Sequence, residues 1–333
     1  MIILKSKLTK KEFVEEISKI LSIDINDSMK VEADISKLIK DCLKEEKEKS
    51  KKEYVIKNCE LEKYYSFNKT TVKVLYDNIA TQSLLHPKYE HLEYKNKKIS
   101  NICYKVFREK NELYILKNDE LIGSWNKDEL HEFQGKFSME LVCEFHNEHE
   151  DNWMGVFHAS TVSKGNKSIM FTGDSGNGKS TLISILMANG FNIIADDFTP
   201  ILREDLKTYS FPTGISIKEK SYTIIEGLYP EFTKLKEYYI NDLKGNVKYL
   251  KPKIKENKAI CKNVVWVKYN EKASNKIQEI SKEEALKKFL PEAWISKKEI
   301  NAKAFMNWVK NTDFYELNYN NNSKAITLIN ELI

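Results

Sequence analysis

The residues best suited to chemistry form one short run: Gly173-Asp174-Ser175-Gly176-Asn177-Gly178-Lys179-Ser180-Thr181. It matches the pattern G-x-x-x-x-G-K-[ST]. The apolar Ile169-Met170-Phe171 precedes it and the helix-compatible Leu182-Ile183-Ser184-Ile185-Leu186 follows. Strand, glycine turn and helix are the context in which this pattern cradles phosphate. Glycines let backbone N–H groups curl around anionic oxygens with no Cβ in the way, and the positive end of the following helix favours the anion. The expected nucleotide contacts are Gly173, Ser175, Gly176, Asn177, Gly178, Lys179, Ser180 and Thr181. Lys179 is expected to reach the β- and γ-phosphates, and Ser180 to offer a hydroxyl to Mg²⁺. The cofactors read from the loop are therefore ATP and Mg²⁺.

Two carboxylates follow. Gly190-Phe191-Asn192-Ile193-Ile194-Ala195 runs into Asp196 and Asp197, seventeen positions after Lys179. That interval fits one short helix, a tight turn and one strand, which brings both acids back toward the phosphates. One acid can help hold a divalent cation. The other can accept a proton from an attacking hydroxyl. Asp also opens loops, so the pair on its own carries the plainer reading of a turn.

Together, the loop and the Ile194-Ala195-Asp196-Asp197 segment resemble the catalytic domain of bacterial HPr kinase/phosphorylase and its relatives, some of them labelled phosphoenolpyruvate carboxykinases. Two more segments fit that resemblance: His158 in Gly155-Val156-Phe157-His158-Ala159-Ser160, and the strand-like Phe211-Pro212-Thr213-Gly214-Ile215-Ser216-Ile217-Lys218. The resemblance covers roughly residues 136–333. It implies an α/β fold of the P-loop kinase type, a mixed sheet with flanking helices, preceded by a smaller α+β region at 1–135. It also implies Asp196 at the metal, Asp197 as base, His158 near the reacting phosphate and a homo-oligomer. Thr181 stands where those kinases usually carry an acidic residue, and the first 135 residues do not look like theirs.

The chain contains only two arginines, Arg108 and Arg203. Planar bidentate clamping of a phosphoryl group favours arginine over lysine. If an arginine of residues 136–333 acts in this way, it is Arg203. Beside Glu204 and Asp205, Arg203 also reads as an ordinary surface residue. Lys218 is the other candidate cation.

The elements that must position these residues are less sharply written. Thr9 with Glu12 suggests a capped helix over 8–21, and a second helix fits about 28–52, ending in a charge run. From 54 to 145 the pattern reads as strands, among them 72–76, 112–116 before a turn at Asn118-Asp119, and 138–145. Further on, 198–202, 263–269 and 314–319 read as strands, and 300–309 and 324–332 as helices. His146-Asn147-Glu148-His149-Glu150-Asp151 lacks the spacing of a helical metal site and reads as a polar loop.

Composition narrows the classes. The net charge of +5 is small against 54 basic and 49 acidic residues, so nucleic acid is not the expected partner. No apolar run approaches the ~20 residues of a membrane span, and Met1-Ile2-Ile3-Leu4 is too short for a secretory signal. The five cysteines are odd in number and unclustered, as in reduced thiols. The expected location is the cytoplasm. The expected activity is phosphoryl transfer from MgATP to a hydroxyl, a serine of a protein or peptide. The alternatives are a small-molecule hydroxyl kinase and a non-kinase switch that binds and hydrolyses ATP.

Overall fold

The computed structural model describes residues 57–95, 100–240, 244–296 and 298–333. The helices expected at 8–21 and 28–52 lie outside these. The fold is mixed α/β, built on mixed sheets with helices. Two compact units divide the described chain: one runs to Glu150 and includes Pro212–Gly214, and the other comprises Asp151–Phe211 and Ile215–Ile333.

The first unit is a five-stranded sheet in the order β1 (Leu61–Phe67), β2 (Thr70–Tyr76), β3 (Cys103–Glu109), β4 (Glu112–Lys117), β5 (Glu120–Asn126). Only β2 and β3 pair in parallel. Their connection carries two short helices, α1 (Ile79–Ser83) and α2 (His86–Tyr89). Asn118 and Asp119 turn β4 into β5 with positive φ at both positions, as a tight hairpin requires.

A long helix, α3 (Leu130–His146), follows. The strand expected at 138–145 is therefore corrected to helix. Its partial alternation was outweighed by a stripe at i, i+4: Phe133, Phe137, Leu141 and Phe145 are all buried. Phe137 meets Tyr89 and Tyr104 edge-on, and Phe133 meets Trp125. The expected boundary between 135 and 136 falls inside this helix.

The second unit centres on a ten-stranded sheet. Its strands are β6 (Trp153–Phe157), β7 (Ser160–Lys164), β8 (Lys167–Thr172), β9 (Asn192–Ala195), β10 (Thr199–Leu202), β11 (Lys207–Tyr209), β15 (Lys258–Tyr269), β16 (Lys276–Glu279), β17 (Ala293–Ile295) and β18 (Asp313–Tyr319). A separate three-stranded sheet joins β12 (Ile215–Lys218), β14 (Asn246–Leu250) and β13 (Glu237–Tyr239).

Strand β15 is the spine. It lies parallel to β8 along one edge, and along the other it meets β11 early and β18, in parallel, late. Beyond β8 come β7 and then β9, each antiparallel to its predecessor. Strands β8, β9, β15 and β18 consequently all end at the same edge of the sheet.

Helices cover both faces. They are α4 (Lys179–Ala188), α5 (Tyr222–Leu228), α6 (Lys282–Phe289), α7 (Glu299–Lys310) and α8 (Asn322–Asn330). Neighbouring strand residues divide between two apolar clusters, as period-2 geometry demands. Met170 and Val264 pack with Phe289, Phe305 and Trp308. Phe171 and Val265 pack with Leu182, Leu186 and Ile329. A sheet buried on both faces reads as nearly continuous apolar runs, which is why 169–172 and 264–267 lack alternation. Among the described residues no helix is long and apolar enough to cross a membrane.

Phe157, at the end of β6, stacks on Phe289 at 4.6 Å between ring centroids and on Trp308 at 5.5 Å. The ring is fully buried and immediately precedes His158. Phe157→Ala is expected to destabilise this unit by about 3–5 kcal/mol, the usual cost of an aromatic-sized cavity. Phe157→Leu should cost less. Urea unfolding of both variants measures this, and an alanine variant as stable as the parent would contradict the packing.

Candidate functional site

The glycine loop joins the end of β8 to the start of α4. Gly173 has φ 144°, and a Cβ there would lie 2.7 Å from the Val267 carbonyl oxygen. Only glycine fits that approach. Gly178, with φ 88°, forms the N-cap of α4. The loop thus presents helix N–H groups at the sheet edge where a phosphate binds best.

Lys179 is 7% exposed, and its ammonium donates to the carbonyls of Gly173 (2.6 Å) and Asp174 (3.4 Å). The charge is held over the loop by the loop's own backbone. Ser175 Oγ accepts a hydrogen bond from Lys218 Nζ at 3.2 Å. Burial, then the Lys244 and Lys179 ammonium groups, holds the Lys218 pKa below the usual lysine value. Thr181 Oγ1 pairs with Ser221 Oγ at 2.7 Å, so its hydroxyl joins α4 to the segment that opens α5.

Strand β9 delivers the two acids into different surroundings. Asp196 is 3% exposed. Its carboxylate accepts from Ser160 Oγ (2.6 Å), from Ser180 Oγ (3.1 and 3.2 Å to its two oxygens) and from the Ser216 N–H (3.1 Å). Those donors come from β7, α4 and β12. Burial first, and the Asp197 charge second, raise the Asp196 pKa, while the three donors pull it down.

Asp197 is about one-third exposed and has φ 66°, a left-handed conformation uncommon outside glycine. Its Oδ1 lies 2.8 Å from His158 Nε2. His158 sits in the turn between β6 and β7, fixed by its neighbour: the Ala159 carbonyl accepts from Thr199 Oγ1 at 2.9 Å.

Loop, acids and histidine therefore converge on one sheet edge. Arg203 does not. It follows β10, whose first residue, Thr199, pairs with Phe157 and whose last, Leu202, pairs with Trp153. The four steps from Thr199 put Arg203 about 13 Å further along the strand. Its guanidinium donates instead to Asp151 O (3.1 Å), Asn301 Oδ1 (2.9 Å) and Asn152 Oδ1 (3.5 Å). The expectation of Arg203 beside the phosphates is corrected: it ties the end of β10 to the turn before β6 and to α7, and Lys218 joins Lys179 as a cation at the loop.

Two site residues carried no motif signal, Ser160 and Ser216. Ser160 was traceable only through its position two residues after His158. The contribution of Ser216 is a backbone N–H, which side-chain type does not encode. Ser180 Oγ beside a buried carboxylate is an oxygen-donor set of the kind Mg²⁺ accepts, one carboxylate and one hydroxyl with the rest left to phosphate and water. A divalent cation there would offset the charge that burial and Asp197 disfavour.

Because the folded-state pKa of Asp196 is raised, ionising this group opposes folding. Stability falls as pH rises from its ordinary 3.8 through the folded value. In chelator, Asp196→Asn is expected to melt at a higher temperature than the parent at pH 7, with the gain shrinking toward pH 4. Thermal melts at both pH values measure it. A lower melting temperature at pH 7 would mean that the hydrogen bonds to the carboxylate outweigh its desolvation.

No protein-family model and no curated protein matches the sequence. Among solved structures, the chain is similar to the Hpr(Ser) kinase/phosphatase from Coxiella burnetii. The match has a TM-score of 0.27 and 11% identity, and covers 53% of this chain and 95% of that one. A likeness of that size does not establish a shared fold.

Proposed function

We propose that residues 151–333 carry an ATP- and Mg²⁺-dependent phosphotransferase of the P-loop kinase type, acting on a hydroxyl, with a serine of a protein or peptide as the favoured acceptor. The observation that carries the reading is the meeting of Ser180 and Asp196 beside the glycine loop, with the His158–Asp197 pair on the same sheet edge. A loop of this pattern needs a hydroxyl and an acid at its metal and a second group for the incoming nucleophile.

The division of roles follows from environment. Asp196 is buried and braced by three donors, so it is suited to hold a cation together with Ser180. Asp197 is open to solvent and held by His158, so it can reach an acceptor hydroxyl. Two carboxylates whose surroundings differ in this way are the usual arrangement for two separate tasks. Asp197 takes the proton as the hydroxyl attacks, and His158 fixes the carboxylate's orientation and shares the charge. Loop N–H groups and Lys179 hold the phosphates, and Lys218 adds positive charge at Ser175. Bound Mg²⁺ would neutralise charge on the phosphate oxygens.

The acceptor's identity follows from the sequence resemblance alone, so a small-molecule hydroxyl remains the second substrate class. In the switch reading only water receives the phosphate, and Asp197 with His158 would position and deprotonate that water.

Lys179→Ala is expected to remove triphosphate binding and turnover while leaving the melting temperature close to the parent's. Unchanged ATP consumption in the folded variant would rule out the loop as the nucleotide site. Asp197→Asn should keep ATP binding within about twofold and lower phosphate transfer by about 10²-fold or more, the scale of a lost general base. Labelled-ATP assays with acceptor candidates read both. Fast hydrolysis that needs no acceptor and leaves no labelled product would favour the switch.

A further inference from the structure

The site described above fixes one end of a nucleotide and leaves the other to be found. At the sheet edge the order is β18, β15, β8, β7, β9, and Asp196 follows β9, two strands to one side of the loop. The terminal phosphate belongs on that side, where Ser180 meets Asp196. The nucleoside then leaves the loop on the other side, over the ends of β15 and β18. Ligands of such sheets lie outside the carboxyl ends of parallel strands.

Tyr269 ends β15 there and Tyr319 ends β18. The Tyr269 N–H donates to the Asn177 carbonyl of the loop at 3.3 Å. A Cβ on Gly178 would lie 3.4 Å from the Tyr269 Cβ and 3.3 Å from the Tyr319 hydroxyl. Tyr269 is thus built against the loop itself. The rings meet edge-on, 5.3 Å between centroids and 73° apart. Tyr319 is 1% exposed, whereas Tyr269 is 43% exposed.

The backbone beneath is locked. Asn275 Oδ1 accepts from the N–H groups of Asn320 (3.0 Å) and Asn321 (2.9 Å), and its Nδ2 donates to Asn320 Oδ1 (2.7 Å). These bonds stitch the segment after β15 to the turn after β18, which holds the exposed Tyr269 at a fixed place beside the glycine loop.

We propose that Tyr269 is the platform for the nucleobase, its open ring face stacking on the base while Tyr319 sets its orientation from behind. The proposal rests on the loop being a nucleotide site. Every base has a π-face, so a single stack favours a nucleoside triphosphate over bare tripolyphosphate and discriminates weakly among bases.

Equilibrium binding of ATP, GTP and inorganic tripolyphosphate to the full chain, each with Mg²⁺, tests this. Tyr269→Ala is expected to weaken ATP and GTP about tenfold or more, the scale of one aromatic–base stack, and to leave tripolyphosphate within about twofold. Tyr269→Phe should keep parental affinity. Tyr269→Leu, which preserves bulk against Gly178 without a π-face, should repeat the alanine pattern. Equal weakening of ATP and tripolyphosphate would make Tyr269 a brace for the loop and overturn the proposal, as would unchanged ATP binding in the alanine variant. Lys179→Ala should weaken all three ligands. A parent protein that binds none of them would remove the nucleotide reading itself, whereas one that binds ATP no better than tripolyphosphate would remove the base platform alone.

Discussion

One buried carboxylate organises the sheet edge that carries the glycine loop. Asp196 is almost sealed from water and stands beside a second acid, which is an unfavourable place for a charge. It is tolerated because a hydroxyl from β7, a hydroxyl from α4 and a backbone N–H from β12 all point at it. Hydrogen bonds to an ionised group are worth about 1.5–3 kcal/mol each, and losing one would leave charge uncompensated. The same contacts fix where β9 ends relative to the glycine loop. Ser180 is at once a support for Asp196 and the hydroxyl expected at a metal, so structural and chemical demands fall on one side chain.

Around that point the sheet places each group at the end of a different strand. The loop follows β8, the acids follow β9, and the exposed Tyr269 closes β15 on the opposite side. Strand β7 runs antiparallel between β8 and β9, which brings Ser160 and, just before it, His158 to the same edge. Hydrophobic packing on both faces keeps this edge in register. Phe157, locked among Phe289, Phe305 and Trp308, sets the turn that carries His158.

Asp197 shows how backbone and side chain cooperate. Its positive φ turns the chain directly after Asp196, so adjacent acids diverge, one into the interior and one toward solvent and His158. An extended backbone would also have separated them, but by sending them to opposite faces of the sheet. The left-handed step keeps both at the edge.

That the loop and the two acids meet was legible in the sequence because it depends on short spacings. The loop pattern fixes residue type at four of eight consecutive positions, and the distance to Asp196 leaves room for only a helix, a turn and a strand. The strands at 263–269 and 314–319 and the helix at 300–309 could be read because their patterns are long or strongly periodic. Residues 138–145 misled because a helical i, i+4 stripe sampled over eight residues also looks like partial alternation. What the sequence could not decide is which distant groups meet. Arg203 and Lys218 are both cations within 25 positions of the acids, yet strand direction sends Arg203 to the far end of β10 and brings Lys218 to Ser175. Ser160 reaches Asp196 because sheet order places β7 beside β9, the Ser216 N–H because β12 of the separate three-stranded sheet shares an apolar cluster with α4, and Tyr269 lies against the loop because β15 runs parallel to β8. Those pairings are set by which faces the core buries, a property of the whole sheet and of no single segment.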